Sequence, residues 1–180
     1  METDDDLIQR CRTDDAASRS LMDRYRVRIY SFLARLVGPT LADDMLQEFW
    51  LKVINSSGGY QPQGKAAGWL FRVANSVAMD GLERDKRTRD HADVSEFTDS
   101  LPDSAPTSET LLERDELRRR LLGALERLPL EQRQVFLMRE YGKMPFREVA
   151  DVLGIPLGTA LSRMNYALEK LRRELGDLDG

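Results

Sequence analysis

A chain of 180 residues, 41% hydrophobic and 32% charged, has material for one or two packed helical domains, and its single cysteine and single histidine exclude an internal disulfide and the usual zinc cluster. No apolar run approaches the roughly 18 residues that cross a bilayer, and the acidic start from Met1 to Asp6 is the opposite of a secretion signal. A cytoplasmic protein with no membrane insertion and no cofactor is therefore expected, and its net charge of −4 hides two positive bodies: residues 21–89 hold 11 basic and 7 acidic groups, residues 117–175 hold 12 and 7, and residues 90–116 between them hold 1 and 9.

Cys11 follows the acidic leader and is expected to be a half-buried helix residue. Asp14 or Asp15 then caps a helix running to about Val37, with Leu21, Tyr25, Ile29, Phe32, Leu33 and Leu36 as its buried stripe. Gly38 and Pro39 end it, and Thr40 fits as the cap of the next helix, Leu41 to about Asn55. Met45, Leu46, Phe49, Trp50, Val53 and Ile54 face inward there, which leaves Asp44, Gln47 and Glu48 outside, either as a solvated face or as a docking surface for a basic partner. After a loop from Asn55 to Gly64, a third helix from Lys65 to about Arg87 buries Trp69, Leu70, Val73, Ala74, Val77, Ala78 and Leu82. Arg84, Lys86, Arg87 and Arg89 gather at its far end, where cations also complement the helix dipole, and Arg72, Asn75, Ser76, Met79 and Asp80 line its open side. Against nucleic acid this surface supplies phosphate contacts, with Asn75 able to address a base edge; Tyr60 either stacks on a base or packs across the lobe.

Residues 91–108 contain Pro102, Pro106, four acids and no Lys or Arg, and are read as a tether. A fourth helix runs from near Ser108 to Leu128, burying Leu111, Leu112, Leu117, Leu121, Leu122, Leu125 and Leu128; Pro129 breaks it, and Glu131 to Tyr141 makes the next. Val149, Ala150, Val152 and Leu153 then mark a short helix ending at Gly154, and Pro156 opens a last one with Ala160, Met164, Ala167, Leu168 and Leu171 at spacings of three and four. Two helices joined by a short turn containing Gly form a helix-turn-helix pattern, whose second helix carries Thr159, Ser162, Arg163 and Asn165 near its front.

Four runs in this order carry a family resemblance: A-D-D-M-L-Q-E-F-W from Ala42, G-W-L-F-R-V-A-N-S-V-A-M-D from Gly68, L-E-R-L-P-L-E-Q-R-Q-V-F from Leu125 and E-V-A-D-V-L-G-I-P-L-G-T-A-L-S-R from Glu148. Across nearly its whole length the chain resembles the bacterial RNA polymerase sigma factors of the extracytoplasmic-function group. The resemblance implies an all-α fold of two small helical domains: region 2 over residues 1–90, an acidic linker over 91–108, and region 4 over 109–176. It implies core RNA polymerase as a partner, docked through Asp44, Gln47 and Glu48. It implies promoter DNA as another, its minus-ten strand met by Asn75, Ser76, Asp80, Arg84 and Arg87 and its minus-thirty-five duplex by Gly158, Thr159, Ser162 and Arg163. An anti-sigma protein is implied as an inhibitor. The sequence departs from the family at Asn75-Ser76, where Arg-Asn is common, at Glu83 and Asp85, at Leu161 where Lys is common, and at Tyr166 where Arg is common. These departures keep a second reading open, a sigma-like interaction module with weakened DNA recognition; a stand-alone repressor is a third, and an enzyme the least supported, because no catalytic constellation is present in the sequence.

Overall fold

In the computed structural model, which describes residues 2–91 and 109–176, the acidic start is itself a helix, α1, Asp4–Arg10. The Asp6 amide donates to the Thr3 hydroxyl at 3.2 Å and the Thr3 amide to the Asp6 carboxylate at 3.1 Å, a reciprocal capping box. The Thr3 hydroxyl, donating to the same carboxylate at 2.6 Å, and then the Thr3 amide hold the Asp6 carboxyl below the usual carboxylate range. Leu7 and Ile8 are thereby driven into the core, and Cys11 behind them is fully buried rather than half-buried, its thiol directed at the Ile8 carbonyl at 3.1 Å.

Helix α2 spans Asp15–Val37 and is capped by Asp14, which accepts from the amides of Ala16 at 2.9 Å and Ala17 at 3.2 Å. Its expected stripe is buried throughout. Helix α3, Pro39–Ser56, begins two residues earlier than expected, so Thr40 lies inside it and is not its cap. The positive φ of Gly38, 91°, turns the chain, and Pro39 enters at a position that has no amide bond to lose. After a short 3-10 turn, Ser57–Gly59, helix α4 runs Ala66–His91, and Phe71 meets Phe32 of α2 edge to face at 5.3 Å. Trp69 and Leu82, expected inside, are half-buried.

The second lobe is built from α5 (Glu109–Glu126), α6 (Leu130–Gly142), α7 (Phe146–Leu153) and α8 (Leu157–Leu175). The tether lies outside the described residues beyond His91, as do the side chains of Leu111 and Leu112. Leu117, expected in the core, is 48% exposed, whereas Ala124 and Leu125 near the end of α5 and Leu128 just after it close on Ala167 and Leu171 of α8.

The expected all-α architecture of two lobes is present, and the lobes also share one core. Val135, Leu137 and Met138 of α6, Met144 after it and Val149 of α7 are buried with the side chains of α1 to α4. Two arginines cross the junction in opposite directions. Arg28 of α2 donates to the carbonyls of Tyr141 at 2.7 Å and Gly142 at 2.9 Å, at the C-terminus of α6. Arg133 of α6 donates to Leu36 at 3.2 Å, at the end of α2, and to Glu126 at 2.5 Å and Leu128 at 3.0 Å, at the end of α5. Helix C-termini hold unpaired carbonyls and partial negative charge, so a guanidinium there satisfies both at once. Burial pushes the Arg133 pKa down from its ordinary value, yet the group donates three bonds as a cation.

Candidate functional site

On α3, Asp44, Gln47, Glu48 and Leu51 lie outside the core at steps of three, one and three along one face, beside exposed Asp43. Asp44 and Gln47 are exposed as expected, Glu48 is partly covered, and Leu51, which sequence reading passed over, is 63% exposed. An acidic and amide face ending in a bare leucine is suited to a protein partner that brings both cations and an apolar socket.

The adjoining face of α4 is tied to that stripe. Arg84 pairs with Glu48 at 2.6 Å, which raises the Arg84 pKa further, and Lys52 reaches the Ser76 hydroxyl at 2.9 Å and the Asp80 carboxylate at 3.5 Å. Candidate residues on two helices thus form one continuous surface. Arg87 lies at its far end, exposed and, among the described residues, paired only with Glu83 one turn back at 3.4 Å, a weak surface pair that a phosphate would outcompete.

Asn75 is placed differently from its neighbours. Its side-chain oxygen accepts from the amide of Gln134 of α6 at 2.8 Å, so the second lobe lies over the one α4 side chain best able to address a base. Arg72, one turn earlier, donates to the Asp151 carbonyl of α7 at 3.2 Å. Glu148 of α7 comes so close to Gly68 that a side chain there would meet its carboxylate, and one Glu148 oxygen is buried without a partner among the described residues. Neither Gln134 nor Glu148 carried a signal in the sequence, because their role comes from a helix distant in the chain. Tyr60 packs: its hydroxyl donates to Asp5 at 2.6 Å and its ring rests on Trp69 at 5.0 Å, which leaves no free face for a base.

In the helix-turn-helix, Gly154 takes the left-handed conformation, φ 65°, that closes α7, and the chain re-enters helix after Pro156. Pro156 is the residue before α8 and not its first, one position from the expectation. Gly158 and Ser162 are exposed, the Ser162 hydroxyl donating to the Gly158 carbonyl at 2.8 Å, while Thr159 and Arg163 stand at the margin, half-buried. This face of α8 turns away from α5, α6 and α7.

Comparison with known proteins places both lobes. Residues 21–88 match sigma-70 region 2 and residues 118–171 match sigma-70, region 4. The chain is 33% identical over 167 residues, 91% of both chains, to the RNA polymerase sigma factor CarQ of Myxococcus xanthus. Its fold is similar to CnrH in complex with the cytosolic domain of CnrY, with TM-score 0.69 and 21% identity over 99% of this chain and 100% of that one. It is also similar to RpoE in complex with the anti-sigma factor NepR from Bartonella quintana, with TM-score 0.71 and 16% identity over 88% and 96%.

Proposed function

The chain belongs to the extracytoplasmic-function group of the sigma-70 family, and on that premise we propose how its surfaces divide the work of a sigma factor that directs core RNA polymerase to promoters and initiates transcription. Region 2, residues 1–90, docks on polymerase through Asp44, Gln47 and Glu48, extended by Leu51. The same lobe receives the minus-ten strand along Asn75, Ser76, Asp80, Arg84 and Arg87. Region 4, residues 109–176, holds the minus-thirty-five duplex at Gly158, Thr159, Ser162 and Arg163, with residues 91–108 as the acidic linker. The protein acts in the cytoplasm, where polymerase and DNA are, and is a regulator rather than an enzyme. An anti-sigma protein is its third partner, a reading supported by the similarity to RpoE held by NepR.

The observation that carries this division is the joint between α3 and α4. Glu48 with Arg84, and Lys52 with Ser76 and Asp80, make the docking stripe and the strand-binding stripe one surface. Polymerase bound on one is therefore felt directly on the other. Transcription from a promoter with purified core polymerase tests the reading, with transcript starts mapped by sequencing. Defined starts that depend on the protein are expected. Tight polymerase binding without initiation would favour the interaction-module reading instead.

A further inference from the structure

The open face of α8 carries side chains that the assignment above leaves unused. Leu157, Gly158, Leu161, Ser162, Asn165 and Tyr166 are all exposed, on the side of the helix opposite buried Ala160, Ala167 and Leu171. Among the described residues six large apolar side chains stay exposed, and three of them stand here: Leu157 at 38%, Leu161 at 41% and Tyr166 at 59%. A single exposed leucine needs no explanation, but half of the set gathered on one helix face does. Asn165 lies one turn beyond Leu161, and no described residue hydrogen-bonds its amide.

We propose that Leu161 and Asn165 read A·T pairs in the major groove, Leu161 by packing on the 5-methyl group of a thymine and Asn165 by paired hydrogen bonds to an adenine. The proposal rests on the duplex-binding role given to α8 above. In the major groove thymine alone presents a methyl group, and adenine alone places an acceptor, N7, beside a donor amino group, the complement of a carboxamide. Leucine offers no charge to a phosphate and no donor to guanine, so this position contributes discrimination rather than backbone attraction. Four helical residues advance about 6 Å, close to two base steps of about 3.4 Å, and the two side chains therefore address different pairs of one site.

Holoenzyme made from the full chain and core polymerase is given a randomised duplex library, and the bound sequences are read. The selected site is then remade with deoxyuridine at single thymines, a change that removes only the methyl group. One thymine is expected at which this weakens wild-type binding by about 4-fold, the worth of one buried methyl. Leu161→Ala is expected to bind the thymine site about that much more weakly and to be indifferent to deoxyuridine there. Asn165→Ala relaxes the choice of adenine about two steps away, and Leu117→Ala, exposed on α5 and off this face, changes neither. Indifference of the wild type to deoxyuridine at every thymine overturns the proposal. Weakened polymerase binding by Leu161→Ala, with the holoenzyme that does form still sensitive to deoxyuridine, also overturns it and assigns the face to a protein partner. Both results leave the sigma role standing; holoenzyme that starts no transcripts and selects no site brings down the role and the proposal together.

Discussion

Helices α4 and α8 are the two to which the proposed function assigns nucleic acid, and their surroundings are opposite. On α4, Asn75 bonds Gln134, Ser76 receives Lys52, Arg84 holds Glu48 and Arg72 caps a carbonyl of α7. On α8, among the described residues, the Ser162 hydroxyl bonds only within its own helix, and Leu161, Asn165 and Tyr166 face outward. Hydrogen bonds already made inside the protein must be exchanged for those of a ligand, so α4 gains little from binding until its cover moves. The open face of α8 has no such exchange to make. One helix is gated by the fold and the other is ready.

The difference also runs through the support beneath each helix. Phe71 under α4 is fully buried in the large core shared by both lobes, whereas Leu171 under α8 closes a small cluster. Phe71→Ala is expected to cost about 3–5 kcal/mol in denaturant unfolding, and Leu171→Ala to fall near the low end of the range for leucine truncation, about 2–5 kcal/mol. Equal losses would remove the contrast between the two cores.

Arg28→Ala attacks the cover itself. It leaves the Tyr141 and Gly142 carbonyls without a charged donor, a loss of about 1.5–3 kcal/mol. Hydrogen exchange should quicken in α6 and around Asn75 while the amides of α8 keep their protection. Uniform quickening in both lobes would show that Arg28 supports the whole molecule rather than the junction.

Gln134→Ala is the finer instrument, since it deletes the partner of Asn75 for about 1 kcal/mol. A few-fold gain in binding of a single-stranded minus-ten probe by the holoenzyme is expected, with duplex binding by α8 unchanged. No gain would mean that this hydrogen bond is not what restrains α4.

The smallest effect expected is on the α8 side, where Glu174 closes the end of the helix against Arg127 at 2.6 Å. That hydrogen bond holds the Glu174 carboxyl below its ordinary value of 4.5. The stabilisation is complete above that pH and is lost as the pH falls through the lower folded value. Glu174→Gln should therefore flatten the acid side of the melting profile slightly, which thermal melts below pH 4.5 would show; an unchanged slope would exclude the pair as a contributor.

Much of this was legible in the chain. Spacings of three and four marked the stripes of α2, α3, α4 and α8, since a helix repeats its buried side every 3.6 residues whatever it packs against. Gly38, Pro39, Pro129 and Gly154 marked the breaks, and the charge split separated the lobes, because glycine, proline and net charge act locally. Leu117 was misplaced because a periodic stripe does not say where its partner helix ends. The acidic start was passed over because a seven-residue helix shows its cap but only two buried residues.

By itself, then, the sequence determined the helices, the two positive bodies and the order of family segments, all properties of residues near one another in the chain. Only the tertiary structure decided that Gln134 covers Asn75, that Arg28 and Arg133 pin helix ends across the junction, and that Leu161 and Asn165 stand bare. The reason is that a pattern fixes which side of a helix is apolar but not which distant helix will meet it. That choice is made by shape and by unpaired carbonyls at helix ends, when the pieces close on one another.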